Sequence, residues 1–114
     1  MSVKIVHARN AQEWIVFLRA ESLEATVLVQ QPLLRTRLEK LGVANVIDAI
    51  QATTYPWERV RECIVLFDTD IASTEACSRT KADLENRGVK ANMAYRKFLF
   101  NQGLTVTLDH IRGE

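Results

Sequence analysis

Two short apolar runs constrain the fold of this chain more than any other feature of its sequence. Residues 26–29 are Thr-Val-Leu-Val and residues 63–67 are Cys-Ile-Val-Leu-Phe, with no polar residue alternating with the apolar ones. A strand with one face in water alternates apolar and polar residues, whereas a strand buried on both faces does not. Each run therefore predicts a strand inside a parallel sheet that is covered on both faces.

Patterns typical of helices alternate with these runs. Asn10 is a suitable N-cap for a first helix, and Pro32 suits the first turn of a second. The predicted helices cover residues 10–24, 32–41, 57–62, 73–87 and 95–100, the predicted strands 26–29, 43–47, 63–67, 89–93 and 104–108, and the main loop 49–56. Strands that alternate with helices indicate a three-layer α/β fold, with a mainly parallel sheet of about four strands and helices on both faces.

The length of 114 residues predicts one domain, 1–114, with its core at about 25–93, an N-terminal helix at 10–24 and a C-terminal extension at 94–114. No stretch resembles a signal peptide or a membrane span. Cys63 and Cys77 match neither a disulfide framework nor a zinc motif, so we expect both to pack in or near the core. The expected setting is the cytoplasm, without membrane contact.

Polar residues follow both apolar runs. Gln30 and Gln31 come after the first, and Asp68 and Asp70 come after the second. Ligands of open parallel sheets bind outside the carboxyl ends of the strands, and two carboxylates placed there suit Mg²⁺. The same residues also favour a purely structural interpretation, in which Asp70 or Ser73 caps the next helix and Asp68 forms a turn. The spacing alone leaves both interpretations open.

The order of these parts resembles the Toprim domain. That fold is shared by topoisomerases, bacterial-type primases, recombination-repair proteins and small nucleases that mature ribosomal RNA. Its pattern is a first strand ending in Glu-Gly, a helix, and a later strand ending in Asp-x-Asp, and this chain has Val-Leu-Val-Gln-Gln at 27–31 and Val-Leu-Phe-Asp-Thr-Asp at 65–70. Small, free-standing archaeal-type members also have a helix before the first strand and a Tyr-Arg-like element after the last, as Tyr95 and Arg96 stand here. The resemblance covers about residues 10–100.

The chain departs from the family pattern at its most important positions. The catalytic glutamate of the family falls on Gln30, the glycine after it on Gln31, and the glycine after Asp-x-Asp on Ser73. A carboxamide neither ionises nor transfers a proton as a carboxylate does. The resemblance therefore implies a protein of nucleic-acid metabolism with weakened, Mg²⁺-dependent cleavage or transfer of phosphodiesters. The alternative is a non-catalytic scaffold that binds nucleic acid, a nucleotide or a protein partner, including a second copy of itself.

The resemblance also implies roles for individual residues. Asp68 and Asp70 would hold Mg²⁺, and Gln30 would orient a water or the leaving oxygen. The candidates for contact with phosphates are Arg79, Lys81, Arg96 and Lys97. A solvated helix face explains these four basic residues equally well. Because the formal net charge is only +1, any contact with nucleic acid must use a local patch.

Two other classes that place Asp after a strand fit less well. Phosphatases of the haloacid-dehalogenase type open on their Asp-x-Asp motif, whereas here it begins at residue 68 and leaves too little chain for the later motifs. Phospho-receiver domains need an acidic pair after the first strand, where this chain has Gln30 and Gln31.

Overall fold

The computed structural model describes residues 9–103, and the strand predicted at 104–108 lies outside them. The elements in chain order are α1 (Ala11–Glu21), β1 (Thr26–Leu28), α2 (Pro32–Lys40), β2 (Val46–Ile47), α3 (Ala49–Ala52), a 3-10 turn (Trp57–Arg59), β3 (Glu62–Val65), α4 (Ile71–Asn86), β4 (Lys90–Asn92) and α5 (Ala94–Asn101). Within these residues, no helix has the length and apolar character needed to cross a membrane.

The four described strands form one parallel sheet in the order β2-β1-β3-β4. In register, Val27 lies between Val46 on β2 and Ile64 on β3, and Ile64 lies next to Asn92 on β4. The chain leaves β1 towards one edge of the sheet and leaves β3 towards the other. The carboxyl ends of β1 and β3 therefore form a topological switch point, where open α/β sheets have their ligand crevice.

The two apolar runs are buried on both faces, as their composition predicts. Val27, Val29, Ile64 and Leu66 pack in one cluster with α1, α2 and α5. The alternate residues of the two runs, including Leu28 and Phe67, pack in a second cluster with α4 and the 3-10 turn. Alternate side chains of a strand point to opposite faces, so the sheet is the middle of three layers. The α/β fold class predicted from the sequence is confirmed.

A contact between the first and last described helices holds α5 in place. The indole Nε1–H of Trp14 donates to the carbonyl of Tyr95 at 3.0 Å, and the two rings meet edge to face with centroids 6.0 Å apart. The hydroxyl of Tyr95 donates to Glu21 Oε1 at 2.5 Å. Burial, and then the bond to Glu21, raise the pKa of Tyr95, so this hydroxyl stays protonated. The next residue along α5 is Arg96, which this contact therefore positions.

The predicted loop at 49–56 is wrong in its first residues, because they form α3. Asp48 caps this helix by accepting hydrogen bonds from the N–H groups of Ile50 and Gln51, while the Gln51 side chain accepts from the Asp48 N–H. This reciprocal capping box satisfies helix donors that would otherwise be unpaired. Asp48 is buried and also accepts from Arg35 Nε at 3.1 Å. These hydrogen bonds lower the pKa of Asp48, and the bond from the Gln51 N–H contributes most.

Substitutions at Asp48 are expected to separate its two roles. Asp48→Asn keeps an acceptor for the helix cap but loses the charge paired with Arg35, and Asp48→Ala loses both. We therefore expect the urea midpoint at neutral pH to fall in the order wild type, Asp48→Asn, Asp48→Ala. Because the folded-state pKa is lowered, the stabilisation exists above the unfolded pKa of about 3.9 and disappears as the pH falls below it. The gap between wild type and Asp48→Asn should close in acid; a gap that persists there contradicts the assignment.

Candidate functional site

The residues that follow β1 and β3 meet at the carboxyl edge of the sheet. The backbone N–H of Asp68, after β3, donates to the side-chain Oε1 of Gln30, after β1, at 2.9 Å. A cleft of about 340 Å³ opens at this point. Its lining residues are Gln30, Gln31, Leu33, Leu34, Arg37, Asp68, Asp70 and Ser73. The structure thus brings together Gln30, Asp68 and Asp70, the three residues predicted at the centre of the site.

Both ends of the Gln30 carboxamide are engaged. While its oxygen accepts from the Asp68 N–H, its Nε2 donates to Ser73 Oγ at 3.2 Å. The carbonyl must face the N–H group and the amide nitrogen must face the hydroxyl, so these partners fix the orientation of the carboxamide. Gln30 therefore joins the end of β1 to the loop after β3 and to the first turn of α4. A glutamate could accept from Asp68 but could not donate to Ser73.

Asp70 caps α4, as one of the two interpretations of the sequence predicts. Its Oδ1 accepts from the N–H of Ser73 at 2.8 Å, and its Oδ2 accepts from the Ser73 hydroxyl at 2.9 Å. These two hydrogen bonds lower the pKa of Asp70, and the bond from the backbone N–H of Ser73 contributes most. The carboxylate is therefore ionised at neutral pH and carries its charge at the entrance of the cleft. The sequence predicts Ser73 as a candidate helix cap, whereas in the structure it bonds both Gln30 and Asp70.

Arg96 holds the loop that carries Asp68. Its Nε and Nη2 donate to the backbone carbonyl of Asp68 at 3.1 and 3.0 Å, and Nη2 also donates to Thr74 Oγ1 at 2.5 Å. Asp68 in turn accepts from the N–H of Thr69 through Oδ1 at 2.8 Å, as the turn interpretation predicts. The guanidinium predicted to bind phosphate is thus already engaged in positioning the loop.

The other predicted basic residues lie away from the cleft lining. Lys81 and Lys97 are exposed on α4 and α5, and Arg79 lines a different cavity. The basic side chain in the lining is Arg37, which the sequence prediction missed. The helical spacing of the sequence could have indicated Arg37, because it follows Leu33 by four positions and Leu34 by three and therefore shares their side of α2.

The oxygen donors at the cleft fit a hydrated magnesium ion but not a dehydrated one. Mg²⁺ takes one or two carboxylates and keeps several waters, and Asp68 and Asp70 supply two carboxylates at one edge. Hydrogen bonds do not exhaust a carboxylate, which has about four lone-pair positions. Between residues 9 and 103, however, no group of three or more His, Cys, Asp or Glu side chains is placed to surround a metal. Water would have to complete the coordination.

Comparison with known proteins supports the fold. No protein-family model matches the sequence, and no curated protein matches it either. A solved structure of a protein from Aquifex aeolicus superposes with a TM-score of 0.77 at 27% sequence identity, over 86% of this chain and 95% of that one. The chain therefore has the three-layer α/β fold of that structure, whose description states no activity.

Replacing Gln30 should reveal its role between the strand ends. Gln30→Ala loses both hydrogen bonds and should lower the free energy of unfolding by about 1–3 kcal/mol. Gln30→Glu loses the donor and adds a carboxylate near Asp68 and Asp70, whose repulsion raises the pKa of the new acid. Its destabilisation is therefore expected to grow as the pH rises from about 5 to 7, in urea titrations at low salt.

The matched control is Gln12→Glu, which makes the same charge change at an exposed position of α1 away from the cleft lining. Its stability should stay within about 0.5 kcal/mol of wild type at both pH values. Equal losses in the two glutamate variants would show that the Gln30 hydrogen bonds do not support the fold.

Proposed function

We propose that this protein is a Toprim-like scaffold that binds nucleic acid at the cleft between β1 and β3 and does not cleave it. The observation that carries the proposal is the position of Gln30. A non-ionisable carboxamide stands where the resemblance expects the catalytic glutamate, and both of its ends are hydrogen-bonded to neighbouring protein groups. This residue supports the architecture of the cleft without supplying an acid or a base.

The remaining groups of the cleft favour a phosphate-bearing ligand. Asp68 and Asp70 are the residues that would hold a hydrated Mg²⁺, which would supply positive charge to a phosphate-bearing ligand. Arg37 lines the same cleft and provides a guanidinium suited to phosphate. The Leu33 side chain, 75% exposed on the same lining, offers an apolar contact for a base or sugar.

The size and charge of the site limit the affinity. A cleft of about 340 Å³ is at the lower end of the range for small ligands, so it suits one or two nucleotide units of a longer strand. With a formal net charge of +1, the protein has little long-range attraction for nucleic acid. Binding is therefore expected to involve few phosphates and to depend only weakly on salt.

The binding proposal is tested with fluorescein-labelled, single-stranded RNA and DNA oligonucleotides in Mg²⁺, followed by fluorescence anisotropy. Arg37→Glu should weaken binding by about tenfold or more, because it places a negative charge where a phosphate would lie. Arg59→Glu is the matched control, since Arg59 lies beside the opposite, amino end of the strands. Its effect should stay within about twofold, the residual contribution of net charge. Absence of binding, or equal loss in both variants, would contradict a nucleic-acid site at this cleft.

The absence of cleavage is tested separately, on the same oligonucleotides with Mg²⁺ or Mn²⁺. We expect intact substrate with the wild type, because Gln30 cannot exchange protons with the reacting groups. Gln30→Glu is the informative variant, and cleavage gained there but lost again when Asp68→Ala is added would identify a decayed catalytic site. Cleavage by the wild type that disappears in Asp68→Ala would instead establish an enzyme, and would overturn the non-catalytic part of the proposal.

A further inference from the structure

A second cavity lies on the other face of the sheet. It measures about 490 Å³ and lies between α4 and the segment formed by α3 and the 3-10 turn. Helices α1, α2 and α5 pack on the first face of the sheet. On the second face, α4 packs together with two short segments, α3 and the 3-10 turn. Three alanines, Ala49, Ala52 and Ala76, line the space and leave it open.

The apolar wall of this cavity is held rigidly. Trp57 lines it, is only 7% exposed, and donates from Nε1 to the carbonyl of Ala52 at 3.0 Å. Tyr55 packs against the Trp57 ring edge to face, with centroids 5.0 Å apart. Leu28 and Phe67, both buried in the sheet layer, complete the floor. A site of this kind is preformed, so a ligand would not have to create it.

One positive charge at the mouth is uncompensated. Arg79 lines the cavity and is exposed, and no hydrogen bond or ion pair within residues 9–103 engages its guanidinium. The nearby carboxylate of Asp83 is instead paired with Arg87 Nε at 3.1 Å. A guanidinium beside an apolar cavity favours a ligand that presents an anionic group at the rim and an apolar body below it.

We propose that this cavity is a binding site for a small amphipathic anion, whose apolar body contacts Trp57 and the alanines and whose carboxylate or phosphate pairs with Arg79. The volume lies within the range of small-molecule sites, about 300–1,000 Å³. The cavity lies on the face of the sheet opposite to α2, whereas α2 forms one side of the Gln30 cleft. Arg79 does not line that cleft. The two sites can therefore be occupied and tested separately.

The first test uses 8-anilinonaphthalene-1-sulfonate as the probe, because it combines an aromatic body with one anionic group. We expect one molecule to bind per chain and to shift the indole N–H resonance of Trp57 in ¹H–¹⁵N spectra. Arg79→Glu should weaken this binding by about tenfold or more through lost charge pairing. Ala76→Leu should weaken it to a similar extent, about tenfold, because the added side chain fills the cavity.

The controls change the same chemistry elsewhere. Lys97→Glu reverses an exposed charge on α5, which packs on the opposite face of the sheet, and Ala82→Leu enlarges an exposed position of α4 outside the cavity lining. Both should leave the dissociation constant within about twofold of wild type. If Ala76→Leu does not fold, the affinity of Arg79→Glu for the probe still tests the site, because Arg79 is exposed and its replacement does not disturb the core. Probe binding that is absent, or equally strong in Arg79→Glu, overturns the proposal.

Competition then identifies the source of the ligand. Adenosine monophosphate presents an aromatic base and a phosphate, decanoate presents an alkyl chain and a carboxylate, and each is titrated against the bound probe. Displacement by the nucleotide with loss of affinity in Arg79→Glu assigns the site to nucleotides, and displacement by decanoate with the same loss assigns it to acyl carboxylates. Failure of both to displace the probe at about 1 mM overturns the assignment of the site to nucleotides or acyl carboxylates.

Discussion

The pairing of β1 with β3 is the contact on which the rest of the molecule depends. These two strands lie side by side at the centre of the sheet, and the pairing continues beyond β3 where the N–H of Leu66 donates to the carbonyl of Leu28 at 2.9 Å. Both strands are buried on both faces, so neither can shift register without exposing apolar side chains. Because the strands end together, Gln30 and Asp68 come within a single hydrogen bond of each other.

That hydrogen bond also explains what the chain gains from glutamine at position 30. An acid there would add a third negative charge to a site where Asp70 is already ionised by its bonds to Ser73. The carboxamide avoids this repulsion and also donates to Ser73, which joins the end of β1 to the first turn of α4. Stability at the strand ends and acid–base chemistry therefore place opposite demands on this one residue.

The sequence predicts the layers and the location of the cleft, because both depend on local patterns. Apolar runs without alternation identify β1 and β3, and the polar residues after them mark the carboxyl edge. The missed features depend on contacts between distant segments or on the direction of side chains. The Thr-Thr-Tyr-Pro run at 53–56 is typical of a loop, and it concealed the cap that Asp48 supplies to α3. Nothing in the sequence shows that Arg96 bonds the carbonyl of Asp68, or that Arg79 lies beside a separate cavity.

The contact of Trp14 with Tyr95 joins residues 81 positions apart, which has a consequence for the order in which the protein assembles. A chain emerging from the ribosome can form α1 and the β1–α2–β2 unit early, but α1 cannot meet α5 until nearly all described residues have been synthesised. Contacts this distant in sequence close late because the intervening chain loses conformational freedom. Since α5 carries Arg96, the loop around Asp68 is secured only in that final step, and a nascent chain has its central strands before it has a finished cleft.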